Sequence, residues 1–561
     1  MSGITRKLIT GAMVFAIVMG LIFVNRFALI SWAAKYGAMG YLATLGEPIL
    51  TTQTVDWTAT PPAQDVNNDR PPNIVIVLAD DLGWNDISFY GGGVGGGAVK
   101  TPNIDRIAAD GVHFSNGYAG NATCAPSRAA LLTGRYPTRY GFEFTPAPAE
   151  MMRMAFSFEP HREQLHPGFF LDANFAAFPP LEEQGVPESE ILLPELLADR
   201  GYHSIILGKW HLGESEGHAP NDQGFDQFLG FLSGAAMFAE VDDPQMVKSM
   251  QVFDPIDQYL WPNLSFAVRY NKEQHFAPDE YMTDYLSTQA VQAIQANKHR
   301  PFLLYLSYNA PHTPLHARKL DYDALTMIDN HTERVYGAMI SSLDRGIGRV
   351  MAALKAEGID DNTLVIFSSD NGGADYIGLP NLNAPYRGWK MTFFEGGTHV
   401  PFFMRWPDRI TAGSVYERPV SHIDIFATAA AAANVAVPVD RAIDGVDLLP
   451  YVNGETRGEP HEALFWRTGN YRTVRSGDWK LQLSDPEETP FLYNLAVDPT
   501  EQRNLAAYEP EQLARLKLLI DEGLREWTAP MWGPLVRGPL YPDKHLNEPL
   551  DKSDVPVYWY N

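Results

Sequence analysis

The only cysteine of the chain, Cys124, stands at the start of a segment whose residue types could activate a nucleophile. Pro126 suits the first turn of a helix and Gly134 suits its end, so we expect a helix that begins beside the cysteine. Backbone N–H groups and the helix dipole favour anions at that end, and Arg128 can point back to the same spot. The site would activate a side chain and stabilise a bound anion. The alternative is a buried cysteine beside a surface arginine.

Two pairs of oxygen-bearing side chains follow predicted strands. Asp80 and Asp81 come directly after residues 73–79, a run that is apolar on both faces and therefore predicts a central parallel strand. Asp370 and Asn371 come just after the strand-like run 363–368. In open α/β sheets, ligands bind beyond the carboxyl ends of the strands, so both pairs are candidate ligand-binding residues.

The elements that would position these residues alternate along the chain. Further strand-like runs are 204–207 and 302–307, and helical patterns cover 103–111, 191–200, 284–295 and 332–357. This alternation predicts a parallel sheet covered by helices on both faces. From about residue 455 the pattern changes to short strands at 463–466, 471–476 and 479–483, a helix at 510–527, and an aromatic, Pro-rich tail from about 529. We therefore expect a second, smaller α+β domain.

Composition limits the possible partners. Lys and Arg number 43 and Asp and Glu number 68, which gives a formal net charge of −25. So acidic a protein repels phosphate backbones, which argues against nucleic acid, and a site for an anionic substrate must supply its own positive charge. A single cysteine cannot form an intrachain disulfide, so the fold rests on its core.

The N-terminus has the pattern of an export signal. Arg6 and Lys7 precede an apolar run over residues 8–24, which indicates a start in the cytoplasm. The nearest small-residue cleavage candidates, Ala33 and Ala34, lie beyond Arg26, so we expect an uncleaved anchor. The predicted location is the periplasm or cell envelope, with the protein anchored in the inner membrane. The absence of disulfides favours a bacterial envelope protein over an animal lysosomal one.

The segment around Cys124 resembles the signature of the type I sulfatases. It reads Cys-Ala-Pro-Ser-Arg at 124–128, followed by Ala-Ala-Leu-Leu-Thr-Gly-Arg. Other motifs occur in the family's order: Ala-Asp-Asp-Leu-Gly at 79–83, Thr-Pro-Asn-Ile-Asp at 101–105, Gly-Lys-Trp-His-Leu-Gly at 208–213, Gly-Phe-Asp at 224–226, Ala-Pro-His-Thr-Pro at 310–314, Ser-Asp-Asn-Gly at 369–372, Arg-Gly-Trp-Lys at 387–390, Glu-Gly-Gly at 395–397 and Leu-Tyr-Asn-Leu at 492–495. The resemblance covers roughly residues 71–530.

The resemblance implies an alkaline-phosphatase-like fold, an α/β/α sandwich around a mostly parallel sheet with a smaller C-terminal α+β domain. The chain then divides into an anchor at 1–50, a linker at 51–72, a catalytic domain at 73–455 with insertions at 142–190 and 236–280, and a C-terminal subdomain and tail at 456–561.

The family's chemistry implies that a maturation enzyme oxidises Cys124 to formylglycine and reads the Cys-x-Pro-x-Arg context. The hydrated aldehyde carries two hydroxyls, of which one attacks sulfur and the other expels sulfate. A serine could attack as well, but it lacks the second hydroxyl that clears its sulfate ester.

The resemblance assigns roles to the other motif residues. Asp80, Asp81, Asp370 and Asn371 would hold one metal ion, and their hard oxygens favour Ca²⁺ over Mg²⁺. Arg128, Lys209 and Lys390 would clamp the sulfate oxygens. His211 resembles the base that deprotonates the second hydroxyl, and His312 resembles the group that, with Lys390, protonates the leaving oxygen. His399 stands where many relatives carry Arg, which puts the local pairing there in doubt.

The predicted function is hydrolysis of a small-molecule sulfate monoester by an arylsulfatase-type sulfuric ester hydrolase. The Phe-rich segment 142–190 favours an aryl or alkyl sulfate, although peripheral packing is the alternative for each phenylalanine. One rival is a phosphonate monoester or phosphodiester hydrolase, but those relatives tend to carry His where this chain has Asn371. The other rival is a non-catalytic, membrane-tethered binding protein with an unmodified Cys124.

Overall fold

The computed structural model describes residues 48–58, 70–157, 166, 168–484 and 489–561. The predicted anchor at 1–50 lies outside these residues apart from its last three positions, and residues 59–69 of the predicted linker lie outside them too. No helix within the described ranges has both the length and the apolar character needed to cross a bilayer. The anchor and the envelope location stay predictions.

The strands are β1 (Asn73–Ala79), β2 (Val112–Phe114), β3 (Gly117–Tyr118), β4 (Phe169–Phe170), β5 (His203–Lys209), β6 (Gln227–Phe231), β7 (Met246–Ser249), β8 (Arg269–Tyr270), β9 (Phe302–Ser307), β10 (Leu315–Arg318), β11 (Thr363–Ser369), β12 (Phe402–Arg405), β13 (Ser414–Tyr416), β14 (Val420–Ser421), β15 (Leu464–Thr468), β16 (Tyr471–Ser476), β17 (Trp479–Ser484), β18 (Thr489–Asn494), β19 (Val536–Leu540) and β20 (Val557–Tyr560). The α-helices of six or more residues are α1 (Pro102–Ala109), α2 (Cys124–Thr133), α3 (Ala149–Ser157), α4 (Leu193–Ala198), α5 (Pro255–Asn263), α6 (Met282–Asn297), α7 (Lys319–Ala324), α8 (His331–Ala356), α9 (Ile423–Ala432) and α10 (Pro510–Gly523).

A nine-stranded sheet in the order β13-β2-β12-β11-β1-β9-β5-β6-β8 forms the centre of the fold. Strands β11, β1, β9, β5 and β6 run parallel, and β12 and β8 are antiparallel to their neighbours. The predicted strands 73–79 and 302–307 match β1 and β9. The register pairs Ala79 with Ser369 and Leu78 with Ser307, so the carboxyl ends of these strands meet at one edge.

Helices cover both faces of this sheet, which confirms the predicted α/β/α architecture. Alternate side chains of β1 enter two different apolar cores, because successive residues of a strand point to opposite faces. Val75 and Val77 pack in the core that holds buried residues of α6 and α8. Ile74 and Ile76 pack in the core that holds those of α2 and α9.

The C-terminal region contains the predicted antiparallel strands and a helix. Strands β15 to β18 form a four-stranded sheet. Leu516 and Ile520 of α10 are buried against Val474 and Leu481 of that sheet. The domain boundary near residue 455 stays a prediction.

The tail after residue 529 is more ordered than its composition indicated. Its strands β19 and β20 pair with each other, and β19 also pairs with β4 from the Phe-rich segment. Phe142 is buried in the core and lies edge-on to Trp532, and Phe178 contacts the same tryptophan. Packing against the tail therefore accounts for much of the Phe-rich composition.

Candidate active site

Cys124 is the first residue of α2, as the Pro126 and Gly134 signals predicted. Gly134 ends the helix with φ of 66°, a left-handed conformation that favours glycine. The Cys124 side chain is buried, and its Sγ lies 3.6 Å from Asp80 Oδ1 and 3.9 Å from Asp81 Oδ1. Burial, with the nearby carboxylates, raises the pKa of the thiol far above its usual range. An unmodified Cys124 is therefore a protonated, weak nucleophile.

The four predicted metal ligands lie together at the carboxyl edge of the sheet. Asp80 and Asp81 follow β1, and Asp370 and Asn371 follow the neighbouring β11. The Asp81 N–H donates to Asp370 Oδ1 at 3.2 Å, and Asn371 Nδ2 donates to Asp81 Oδ1 at 2.7 Å. Asp81 has a φ of 63°, a strained conformation for a residue with a side chain. Strain of this kind clusters at functional sites, where the surrounding contacts fix it.

Three buried cations neutralise these carboxylates. Lys209 Nζ lies 2.6 Å from Asp80 Oδ2, and Lys390 Nζ lies 2.8 Å from both carboxylate oxygens of Asp81. Arg128 Nη2 lies 2.7 Å from Asp370 Oδ2 and 3.4 Å from Asp80 Oδ2. Arg128 is fully buried, so the alternative of a surface arginine does not hold. The acidic chain thus places three cations at this edge of the sheet, each paired with a carboxylate.

The pKa values of the two neighbouring aspartates diverge. Burial and the adjacent Asp370 raise the pKa of Asp80 to about 7, although Lys209 and Arg128 oppose the shift. Burial would raise the pKa of Asp81 too, but Lys390 and its neighbours outweigh it and hold the pKa below its usual range. A cation bound between the two would favour the ionised form of both.

Four side chains at this edge could hold a metal ion, and two of them, Asp80 and Asp81, belong to the predicted ligand set. One atom each from Asp80, Asp81, Cys124 and His312 lies within 4.8 Å of the others. Asn371 adds a buried Oδ1 that has no hydrogen-bond partner among the described residues. A buried carbonyl oxygen without a partner is costly unless something else binds it, and amide and carboxylate oxygens are the ligands that Ca²⁺ prefers.

Two histidines border the carboxylates in the neutral form. His312 Nδ1 lies 2.6 Å from the Thr313 carbonyl, so the hydrogen bond places the proton on Nδ1 and leaves Nε2 as an acceptor 3.3 Å from Lys390 Nζ. Burial lowers the pKa of His312 to about 3. Burial and the charges of Lys209 and Arg128 hold the pKa of His211 well below its usual range.

His211 follows β5, and its Nδ1 is buried with no hydrogen bond to the described part of the chain. Its φ of 64° makes it a second residue at this edge with a left-handed backbone. A neutral imidazole with a free nitrogen is suited to accept a proton.

Two further residues of the site were not predicted. Ser307 ends β9, accepts a hydrogen bond from Arg128 and donates to the Lys209 carbonyl at 2.6 Å. Ser307 could have been predicted from the sequence, because ligands in such sheets bind beyond the carboxyl ends of the strands. The Tyr376 hydroxyl lies 2.7 Å from Asp81 Oδ2 and 2.9 Å from Lys390 Nζ. No pattern in the sequence singled out this tyrosine.

Comparisons with known proteins agree with this geometry. Residues 72–435 match the family model described as Sulfatase, and residues 388–529 match the model of the N-sulphoglucosamine sulphohydrolase C-terminal region. Human N-acetylgalactosamine-6-sulfatase is 33% identical over 492 residues, which cover 81% of this chain and 85% of that protein. Mouse steryl-sulfatase is 30% identical over 551 residues, with 81% of each covered.

Solved structures show the same similarity. The crystal structure of Ps i-CgsB in complex with k-i-k-neocarrahexaose has a TM-score of 0.68 and 30% identity, and it covers 82% of this chain and 95% of that one. The phosphonate monoester hydrolase of Agrobacterium radiobacter has a TM-score of 0.55 and 22% identity, a likeness that concerns the fold alone.

Proposed function

Because the chain belongs to the sulfatase family and is a sulfuric ester hydrolase, we propose that it hydrolyses sulfate monoesters at the site around Cys124. The proposal includes conversion of Cys124 to formylglycine and one bound Ca²⁺ ion. It rests on one juxtaposition: Cys124 Sγ lies 3.6 Å from Asp80 Oδ1 and 3.9 Å from Asp81 Oδ1, at a helix N-terminus beside buried cations. This arrangement suits a nucleophile that attacks an anion.

Conversion of Cys124 to formylglycine would replace the buried thiol, which is a weak nucleophile because it stays protonated. Formylglycine supplies a hydrated aldehyde, whose two hydroxyls provide a nucleophile and a route for its release. Every residue of α2 is buried. A maturation enzyme would therefore have to act on the Cys-x-Pro-x-Arg segment at 124–128 before the helix packs.

Asp80, Asp81, Asp370 and Asn371 would hold the metal ion. Bound there, Ca²⁺ would polarise a sulfate oxygen and lower the pKa of a nearby hydroxyl. Asn371 Oδ1 would gain the partner that the described residues do not give it. The expectation from the sequence that Asn371 favours sulfate over phosphonate esters is part of the same proposal.

The other side chains would bind the substrate and move protons. Arg128, Lys209 and Lys390, which pair with carboxylates in this structure, would also contact the sulfate oxygens. His211, neutral because of burial, would accept the proton of the second hydroxyl. Lys390, with His312 Nε2 at 3.3 Å, would deliver a proton to the leaving alcohol oxygen. Proton transfers of this kind contribute about 10²–10⁴-fold each.

The alcohol part of the substrate has two candidate classes. The aryl or alkyl preference depended on the Phe-rich segment, and two of its described phenylalanines, Phe142 and Phe178, pack against Trp532. A sulfated sugar has support from the names of two relatives, an N-acetylgalactosamine-6-sulfatase and a protein bound to neocarrahexaose. We propose a sugar O-sulfate, with aryl and alkyl sulfates as the alternative.

A polar cavity is the candidate binding site for the sugar part of the substrate. It has a volume of about 270 Å³ and lies between the loop 375–389 and the tail residues 542–545. Its lining includes Asn381, Asn383, Tyr386, Arg387, Gln502 and Lys544. Arg387 Nε already lies 2.6 Å from Asp543 Oδ1, and Lys544 Nζ lies 3.0 Å from Asp551 Oδ2. With its cations paired, the cavity suits neutral hydroxyl groups better than a second anion.

A substrate panel tests the proposal. The protein is produced with a formylglycine-generating enzyme and assayed on a sulfate ester and a phosphonate ester of the same phenol, with Cys124→Ala as the control. We expect faster turnover of the sulfate and loss of both activities in the variant. Faster phosphonate turnover, or full activity of Cys124→Ala, would contradict the proposal. A higher kcat/KM for an aryl sulfate than for N-acetylgalactosamine 6-sulfate would reject the sugar.

A further inference from the structure

Tyr376 lies between two residues that the proposed reaction uses. Its hydroxyl is 2.7 Å from Asp81 Oδ2 and 2.9 Å from Lys390 Nζ. Lys390 Nζ also lies 5.3 Å from the centre of the tyrosine ring, within range of a cation–π interaction. The tyrosine thus contacts the Lys390 ammonium through both its oxygen and its ring face.

The direction of each hydrogen bond follows from the chemistry of the partners. A lysine ammonium has three donors and no acceptor, so the Tyr376 oxygen accepts from Lys390 and its single O–H donates to Asp81. The described partners of Lys390 are Asp81, Tyr376 and His312. These three partner residues offer an acceptor to every N–H group of the ammonium, which restrains its orientation.

The same hydroxyl restrains the Asp81 carboxylate. Asp81 Oδ2 accepts from Tyr376, while Oδ1 lies 2.7 Å from Asn371 Nδ2 and 3.9 Å from Cys124 Sγ. Rotation of the carboxylate would break the bond to Tyr376. The hydroxyl therefore keeps Oδ1 directed toward Cys124.

We propose that Tyr376 is a positioning residue that holds Lys390 for proton delivery to the leaving oxygen and holds Asp81 for metal binding. This inference rests on the proposed function. Its support extends to the C-terminal tail, because Asp375, which precedes Tyr376, contacts His545 Nδ1 and accepts from the Leu546 N–H at 3.0 Å. The tail thus anchors the turn Asp375–Ile377 that carries the tyrosine.

The test uses Tyr376→Phe, which removes the hydroxyl and keeps the ring. Tyr90→Phe is the control, since it also removes the hydroxyl of a packed tyrosine, but this hydroxyl has no hydrogen-bond partner among the described residues and its ring stacks on Trp84. The assay is kcat/KM over a series of aryl sulfates whose leaving phenols differ in pKa. For the poorest leaving group we expect Tyr376→Phe to lose about 10- to 100-fold, the range of one hydrogen bond to a charged group.

For the best leaving group, which needs little protonation, we expect a loss of about twofold or less. KM and the melting temperature without added metal should stay near the values of Tyr90→Phe. A uniform loss across the series would indicate a structural role and overturn the inference. An unchanged series would overturn it as well.

A second readout does not depend on turnover. Calcium is titrated into metal-depleted protein, and the rise in melting temperature gives the apparent affinity. We expect Tyr376→Phe to need several-fold more Ca²⁺ than wild type, with Tyr90→Phe unchanged. Equal Ca²⁺ affinities in all three proteins would refute the proposal that Tyr376 holds Asp81 for metal binding. Wild-type protein that is inactive on every sulfate ester would instead defeat the proposed function.

The contribution of the tail is tested by a double-mutant cycle. Asp375→Asn should reduce turnover of the poorest leaving group, and the same change in Tyr376→Phe protein should add little, because Asp375 acts through the tyrosine. Fully additive losses would contradict this link.

Discussion

Replacement of Lys480 by methionine will strongly destabilise the protein. Lys480 lies in β17 and is fully buried, with Nζ 2.7 Å from Glu395 Oε1 and 3.2 Å from Glu501 Oε1. Both glutamates are also buried. Glu395 begins the Glu-Gly-Gly motif a few residues after Lys390, so this ion pair joins the C-terminal sheet to the chain segment that enters the active site.

The size of the effect follows from the charges left behind. Removal of one partner from a buried ion pair costs about 3–5 kcal/mol, because the remaining charge is buried without compensation. Burial already raises the pKa of Glu501 to about 7 with Lys480 present, and the pKa would rise further without it. A carboxyl group whose pKa is raised on folding favours the folded state below its unfolded pKa of about 4.3 and loses that contribution as pH rises through the folded value. Lys480→Met should therefore lose more stability at about pH 8 than at about pH 5.5.

The assay is urea unfolding followed by tryptophan fluorescence at both pH values. Lys552→Met, at an exposed lysine, is the matched control and should cost less than about 1 kcal/mol. Lys480→Met combined with Glu501→Gln should recover part of the loss, since one buried charge is gone. A loss below about 1 kcal/mol in Lys480→Met, or a larger loss at the lower pH, would refute the reasoning.

Three further predictions concern the metal, a buried histidine and the Phe-rich segment. A chelator should lower both activity and melting temperature, and Ca²⁺ should restore both. Unchanged activity and melting temperature in the presence of chelator would contradict the proposed metal ion. His461 Nε2 lies 2.8 Å from Asp424 Oδ1, an interaction that raises the pKa of His461 despite burial, so its stabilising contribution should be present below about pH 6.5 and be lost at higher pH. In His461→Gln protein this pH-dependent part of the urea midpoint should vanish, and an unchanged pH profile would contradict the prediction. Phe178→Ala should cost about 1.5–2.5 kcal/mol of stability through its lost contact with Trp532, about half the cost of a fully buried phenylalanine. A raised KM for aryl sulfates at unchanged stability would instead support the prediction that the Phe-rich segment binds an aryl or alkyl group.

The sequence predicted the centre of the fold well because its signals there are local. The apolar run 73–79 is a strand buried on both faces, and Pro126 and Gly134 mark the ends of α2. Asp80 and Asp370 follow directly from the rule that parallel strands present their carboxyl ends at one edge. The sequence did not show that β4, two residues long, pairs with β19 far along the chain, since so short a strand has no periodicity.

The pairing of charges in the site could not be read from the sequence either. Lys209 and Lys390 were predicted as sulfate contacts, and the structure adds that they pair with Asp80 and Asp81. His399 Nδ1 lies 3.1 Å from Glu395 Oε2, and Lys480, from the C-terminal sheet, lies 2.7 Å from Glu395 Oε1. Ion pairs of this kind depend on packing between segments far apart in the chain, for which the sequence carries no local signal.

Mass spectrometry of the proteolytic peptide that contains Cys124 tests the central claim most directly. In protein produced with a formylglycine-generating enzyme, the account predicts a peptide that has lost one sulfur and two hydrogens and gained one oxygen. It also predicts that sulfate ester turnover rises in proportion to the converted fraction. Full activity in protein whose Cys124 remains a thiol would contradict the account.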